Sequence, residues 1–177
     1  MMKLFKKLLA VAMVAVLALT VLTGCDAGDA SEVPSNATEA RIYQYLNDYA
    51  AEYQDTVLSP LYYSKDLSAV TYQRLTLELD YRVNDKLTKA EYDDAVKKLE
   101  ADCKAKYGYE VSKEVDRKCE MVVNGTPSKA SDFKTLYDMS NAYLNASKVA
   151  IARIENKKEN GGDGSTYTMI QCFREIK

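Results

Sequence analysis

Apolar residues recur every three to four positions in the segment after Asn36, which is the spacing of one helix face. This stripe consists of Ile42, Leu46, Tyr49, Tyr53 and Val57. Asn36 is typical of a helix N-cap, and the Ser59-Pro60 pair ends the pattern. We therefore predict a helix over residues 37–57.

A second helix is predicted from its start signal. Thr88 and Glu91 have the spacing of a capping box, in which each residue satisfies a backbone N–H of the other. The apolar stripe that follows consists of Tyr92, Val96, Leu99 and Cys103. We expect this helix to run to about Lys106 and to stop at Gly108. The same spacing predicts a third helix over about residues 131–146.

Strict alternation of apolar and polar residues, which is typical of half-buried strands, occurs in two segments. Residues 75–83 alternate throughout and are predicted as a strand. A helix over residues 66–84 stays open as the alternative, because some of the same apolar residues also share a helix face. Most apolar side chains of residues 109–123 lie on odd positions, which predicts a long strand, either continuous or broken near Lys113.

Two more strands are predicted near the C-terminus, over residues 149–154 and 167–176. Both are partly apolar on two faces, as strands in the interior of a sheet are. The polar, glycine-rich residues 157–164 would join them as a hairpin loop. The complete order of elements predicts an α+β fold, with about three helices packed on one mostly antiparallel sheet of three to four strands.

The N-terminal segment has a different pattern from everything after it. Lys3, Lys6 and Lys7 precede an apolar run, and the segment ends in Leu22-Thr23-Gly24-Cys25. This layout is typical of a secretory signal peptide. The apolar run is shorter than the roughly 20 residues that span a bilayer, although an uncut membrane anchor and an ordinary cleaved signal remain alternatives.

The ending Leu22-Thr23-Gly24-Cys25 resembles the lipobox of bacterial lipoproteins, and the resemblance covers the leader only. It implies that residues 1–24 are a signal peptide and that Cys25 carries a diacylglycerol as the first mature residue. Residues 25–35 are small and acidic, so we predict a flexible, lipid-anchored tether. Residues 36–177 are then predicted to form a single α+β domain.

Charge and composition argue against several classes of function. The leader contains three lysines and no acids, so the mature chain carries 21 basic and 26 acidic residues. This acidic balance argues against a nucleic-acid partner. The chain contains no histidine, which removes the usual neutral-pH general base and the commonest zinc ligand. We therefore predict no metal, no cofactor and no catalytic residue.

Three cysteines follow Cys25 in the sequence: Cys103, Cys119 and Cys172. They contain no C-x-x-C pair and lie at apolar positions of predicted elements, which favours three buried thiols. One disulfide with one free thiol is the alternative, because an odd number of cysteines cannot all pair.

Two features are candidate binding sites. Glu159, Asn160 and Asp163 offer oxygen atoms in the glycine-rich loop, but a calcium ion needs more ligands, and a hairpin turn is the favoured interpretation. Tyr43, Tyr62 and Tyr63 lie off or beside the apolar stripe near Ser59-Pro60 and form a tentative binding patch. The alternative for these tyrosines is a place in a core that lacks tryptophan.

The sequence thus predicts a binding or interaction module of the bacterial envelope, held at the extracytoplasmic face of the cell membrane by the lipid on Cys25. Its partner would be another envelope protein, a wall fragment or a small solute. The chain is not expected to be an enzyme. The alternatives are a small histidine-free envelope enzyme that uses carboxylates, and an inhibitor or accessory subunit of a neighbouring envelope protein.

Overall fold

The computed structural model describes residues 32–52, 61–115, 117–137 and 140–176. In chain order the elements are α1 (Ala37–Glu52), β1 (Tyr62–Tyr63), α2 (Lys65–Arg82), α3 (Lys89–Tyr107), β2 (Tyr109–Val111), β3 (Lys113–Glu114), β4 (Arg117–Lys118), β5 (Glu120–Asn124), α4 (Lys134–Tyr137), α5 (Ser140–Leu144), β6 (Lys148–Glu155) and β7 (Thr166–Glu175). Two 3₁₀ turns lie at Ala130–Phe133 and Lys158–Asn160. The predicted signal peptide and Cys25 lie outside the described residues.

Strand β6 pairs along its whole length with residues 166–173 of β7, and the two strands form the centre of a five-stranded sheet. On the outer side of β6, the short strand β1 pairs in parallel. On the outer side of β7, β2 and β5 both pair antiparallel, one after the other. The predicted α+β class with a mostly antiparallel sheet is confirmed, whereas the described residues contain more strands and more helices than predicted.

Helices cover both faces of the sheet. On one face, Ile42 and Leu46 of α1 and Phe133 pack against Val149 and Ile170 of the central strands. On the other face, the helix α2 packs on the remaining side chains of β6 and β7 through two small clusters. The two-sided apolar pattern of both central strands is explained by this arrangement, and their prediction as interior strands is confirmed.

Residues 75–83 were predicted as a strand, and this prediction is wrong: they lie in α2, apart from Val83, which is its C-cap. Leu75 and Leu79 point to the sheet, where they pack with Ala152 and Met169. Leu77 points to the opposite side and packs on α3. A helix held between a sheet and a second helix buries two faces, and here that burial produces the apolar alternation of a strand.

Residues 109–123 do not form one strand. The segment leaves the sheet after Ser112, forms the small β3–β4 hairpin, and returns at Cys119. Cys119 N donates to Ser112 O at 2.7 Å, which closes the base of this hairpin. Val115 at its tip is 85% exposed, although its odd position predicted burial. The break predicted near Lys113 as an alternative is therefore the correct one.

The three predicted helices agree with the structure to different extents. The helix α3 starts with the predicted Thr88–Glu91 capping box and ends at Gly108, which adopts the left-handed conformation with a φ of 72°. The helix α1 starts after Asn36, and the predicted extension over residues 53–57 lies outside the described residues. The predicted third helix is replaced by a 3₁₀ turn and the short helices α4 and α5.

The described residues belong to one compact unit. Within the described ranges, none of the helices combines the length and the apolar character that crossing a bilayer requires. The division of the chain into residues 1–24, 25–35 and 36–177 stays a prediction.

Candidate functional site

The structure brings two of the three predicted patch tyrosines together, but in the core. The rings of Tyr43 and Tyr63 lie 6.1 Å apart and are tilted by 58°. The Tyr43 hydroxyl donates to Leu61 O at 2.9 Å. Tyr63 is only 5% exposed, and this burial raises the pKa of its hydroxyl. Both residues therefore join α1 to the start of the sheet.

Tyr62 points to the opposite side of β1, as neighbouring strand residues do. The residue is 47% exposed, and Lys148 Nζ lies 5.7 Å from the centroid of its ring. Of the three patch tyrosines, Tyr62 is thus the exposed one, whereas Tyr43 is half-buried and Tyr63 is buried.

The loop between β6 and β7 is organised around Asp163. Its Oδ1 accepts hydrogen bonds from Ser165 N at 2.9 Å and Asn156 Nδ2 at 3.1 Å, and its Oδ2 accepts one from the Tyr167 hydroxyl at 2.7 Å. The Tyr167 bond, followed by the others, lowers the pKa of Asp163 to about 2. Both carboxylate oxygens hold the loop itself, and no cluster of three metal-ligating residues occurs among the described residues.

The three cysteines are buried, free thiols, which agrees with the favoured prediction. Burial, with a contribution from Glu100, raises the pKa of Cys103 to about 11. A hydrogen bond with Cys119, together with burial, raises the pKa of Cys172 well above its ordinary value. Cys103 and Cys172 therefore stay protonated at neutral pH and lack the thiolate that nucleophilic chemistry needs.

A cavity of about 190 Å³ lies between α2, α3 and the sheet. The β2 strand and the β3–β4 hairpin complete its wall. Its apolar lining consists of Val70, Leu99, Ala101, Cys103, Val111 and Phe173. An apolar concave site with a few polar groups is the usual form of a small-molecule site.

Arg74 is the buried charge of this cavity, with a side chain only 9% exposed. Its Nη1 donates to Glu78 Oε2 at 2.7 Å, and its Nη2 lies 3.6 Å from Glu120 Oε1. The guanidinium carbon lies 5.2 Å from the centroid of the Tyr92 ring. The Nε–H of Arg74 is buried and has no hydrogen-bond partner among the described residues.

The partners of Arg74 are themselves fixed by further bonds. Glu78 also accepts from the Tyr92 hydroxyl and forms an ion pair with Arg82. Burial acts to raise the pKa of Glu78, but the bonds from Tyr92 and Arg74 and the nearby positive charges hold it below its usual value. Burial and the bond to Glu78 raise the pKa of Tyr92 to about 12. The arginine is therefore held rigidly.

A second chain of bonds fixes the carboxylate of Glu120. Its Oε2 accepts from Gln171 Nε2 at 2.7 Å, and Gln171 Oε1 accepts from the Thr71 hydroxyl at 2.9 Å. These bonds connect α2, β5 and β7 beneath the cavity. The polar side chains around Arg74 are thus fixed in orientation by partners from three elements.

Charged side chains line the mouth of the cavity. The carboxylates among them are each paired with a cationic side chain, and the other charged side chains are positive. Glu100 forms an ion pair with Lys118, and Glu110 Oε1 accepts from Arg174 Nε at 2.9 Å. The bond from Arg174, with the charges of Lys104 and Lys113, lowers the pKa of Glu110. The cavity lining contains four cationic side chains and two carboxylates in all.

A second cavity, of about 270 Å³, lies between the start of α1 and residues 126–128. Its lining includes the exposed residues Arg41 and Ser128. It has the character of a surface depression, and the cavity at Arg74 is the better-built site.

Sequence reasoning missed the Arg74 site. Arg74 and Glu78 lie four residues apart, which is the spacing of a helical ion pair, but this segment was predicted largely as a strand. The cavity also combines residues from position 70 to position 173, which only the fold brings together.

No family model matches the chain, and neither a curated protein nor a solved structure matches it. The features of this chain that indicate a function are therefore its leader and the geometry of the cavity.

Proposed function

We propose that this chain is a lipid-anchored, extracytoplasmic binding module of a bacterial envelope. The main support is the leader, in which three lysines and an apolar run precede Leu22-Thr23-Gly24-Cys25. Two acyl chains on Cys25 would give stable membrane attachment, whereas a single chain gives only marginal binding. The partner classes are an envelope protein, a wall fragment and a small solute.

The cavity at Arg74 supports the small solute as the bound partner. It is concave, largely apolar, and supplied with one rigidly held cationic group. Its two carboxylates, Glu100 and Glu110, are each engaged with a cation. A general acid needs a raised pKa, whereas the pKa of Glu110 is lowered. This favours binding over carboxylate catalysis at this cavity.

The anchor is tested by expressing the full chain and Cys25→Ala in a bacterium fed with radiolabelled palmitate. We expect label on the unaltered chain and none on Cys25→Ala, which should also keep its leader and migrate as a larger precursor. Cys103→Ala serves as the matched control, since it removes a buried thiol and should leave labelling unchanged. Label on Cys25→Ala would contradict the proposed anchor.

The side of the membrane is tested on spheroplasts that carry the full chain. Protease added outside should degrade the chain while a cytoplasmic marker protein stays intact. Protection of the chain until the membrane is dissolved would contradict the extracytoplasmic location.

A further inference from the structure

We propose that the cavity between α2, α3 and the sheet binds a small carboxylate with an apolar body, and that Arg74 holds the carboxylate. This inference deepens the proposed binding role and rests on it. The evidence is the unpartnered Arg74 donor, the size and character of the walls, and the charge of the lining.

The first support is the Nε–H of Arg74. A buried donor without an acceptor is unfavourable because it has lost its hydrogen bonds to water, and this donor belongs to a side chain that lines the cavity. The other guanidinium nitrogens are directed to Glu78 and Glu120, which fixes the plane of the group. A carboxylate oxygen in the cavity would accept a charge-assisted hydrogen bond from Nε, and such bonds are stronger than neutral ones.

The second support is the fit of the walls to a compact apolar body. A cavity of roughly 150 Å³ lined by aliphatic and aromatic side chains accommodates benzene, and this one measures about 190 Å³. Leu99, Val111 and Phe173 offer apolar surface from three different elements. The space therefore suits one ring or a branched chain together with a carboxylate.

The third support is charge. Four cationic side chains line the cavity against two carboxylates, in a chain whose overall net charge is −2. Both lining carboxylates are already paired, Glu100 with Lys118 and Glu110 with Arg174. Lys104 and Lys113 add positive charge at the mouth. This distribution attracts a small anion and disfavours a cationic ligand.

Two fluorinated probes of nearly equal shape test the inference: 4-fluorobenzoate and 4-fluorobenzamide. The full chain, in micelles of a neutral detergent, is titrated with each probe, and binding is followed by the ¹⁹F signal. We expect the carboxylate to bind at least about tenfold more tightly than the amide, because only the carboxylate gains a charge-assisted bond at Arg74. Equal affinities, or no saturable binding of 4-fluorobenzoate, would overturn the inference.

Two variants locate the binding. Val70→Phe places a ring in the cavity without changing Arg74, and it should weaken 4-fluorobenzoate binding by about tenfold or more. Val122→Phe makes the same substitution at an exposed position of β5 outside the cavity lining and should leave the affinity unchanged. Binding that survives Val70→Phe would place the probe in the micelle or elsewhere on the chain, and would overturn the inference.

The variant Arg74→Lys tests the donor itself, because lysine keeps the positive charge and loses the planar group. We expect the preference for the carboxylate over the amide to fall to within about threefold, in a chain whose circular dichroism matches the unaltered one. If the variant does not fold, Val70→Phe still decides the question. Neither titration depends on Cys25, so failure of the anchor test and failure of the ligand test are distinguishable.

Discussion

Arg74 Nη1 donates a hydrogen bond to Glu78 Oε2 at 2.7 Å, one turn further along the helix α2. Both side chains are at most 10% exposed, so this is a buried ion pair within a single helix. Glu120 approaches Arg74 from the sheet and Arg82 pairs with Glu78 from the following turn. The pair thus belongs to a four-charge network that joins the helix to the sheet, and Arg74 is the member of this network that lines the cavity.

Glu78→Gln should destabilise the fold by about 2–4 kcal/mol, because breaking a buried pair leaves an uncompensated charge. Arg74 would keep Glu120 as a more distant partner, which limits the loss. Urea unfolding of the full chain, followed by circular dichroism, measures the change. Lys89→Gln is the control, since it breaks an exposed pair with Asp93 and should change the unfolding curve little. A similar small effect for both variants would contradict the structural role of the buried pair.

The helices α2 and α3 show which elements local sequence patterns predict correctly and which they do not. The helix α3 is amphipathic with one clear apolar stripe, and its capping box predicted its start correctly. The helix α2 contacts the sheet with Leu75 and α3 with Leu77, so its apolar residues do not follow a single stripe. The spacing of apolar residues along the chain indicates which faces of an element are buried. It does not distinguish a helix that is buried on two faces from a strand, because that difference depends on packing with other elements.

The candidate site also depends on packing that local sequence patterns do not show. The tyrosines of the tentative patch were visible in the sequence, but the exposure of two of them depends on the strand β1, whose alternation buries Tyr63 and exposes Tyr62. Arg74 Nη2 and Glu120 Oε1 lie 3.6 Å apart, although the two residues are far apart in the chain. Such a long-range pair leaves no local signal in the sequence, and neither does the cavity that Arg74 lines.

A second prediction concerns Gly162 in the loop between β6 and β7. A Cβ on this residue would lie closer than 3.0 Å to the backbone O of Asn156, which cannot move like the end of a flexible side chain. Gly162→Ala should therefore cost roughly 2–3 kcal/mol through overpacking. Thermal and urea unfolding of the full chain measure this cost.

The neighbouring Gly161 provides the control for this substitution. Its φ is 79°, and the position that a Cβ would occupy has no neighbouring atom within 4 Å, so Gly161→Ala introduces left-handed strain without a clash. We expect a cost of about 1 kcal/mol for this variant. A larger effect at Gly161 than at Gly162 would show that the close approach to Asn156 does not constrain the loop.

A third prediction follows from the lowered pKa of Asp163. Its value of about 2 in the folded chain lies below the ordinary value of 3.8, so the unfolded chain binds more protons between these values. Its contribution to stability is complete above about pH 4–5 and is lost as the pH falls through about 2. Asp163→Asn should remove this part of the acid dependence of the free energy of unfolding.

The variant Tyr167→Phe tests the cause of that shift. The Tyr167 hydroxyl donates the bond that lowers the pKa of Asp163 most. Without it the folded pKa should rise towards 3.8, and the acid dependence between about pH 2 and 4 should lie between those of the unaltered chain and Asp163→Asn. Unfolding curves at a series of pH values measure this slope, and an identical slope in all three chains would contradict the prediction.

The last prediction concerns the three buried thiols. Cys119 and Cys172 are neighbours on adjacent segments of the sheet, where Cys172 N donates to Cys119 O at 2.9 Å, while Cys103 lies in a different cluster. A chain isolated from membranes should expose three reactive thiols when it is denatured without reductant, because the proposed lipid would block Cys25 and the three buried thiols are free. One thiol per chain would indicate a disulfide instead. The variant Cys103→Ser then identifies the residues of that disulfide. Two reactive thiols in the variant mean that Cys119 and Cys172 are both free and that Cys103 was one of the disulfide partners. No reactive thiol means that Cys119 and Cys172 are cross-linked.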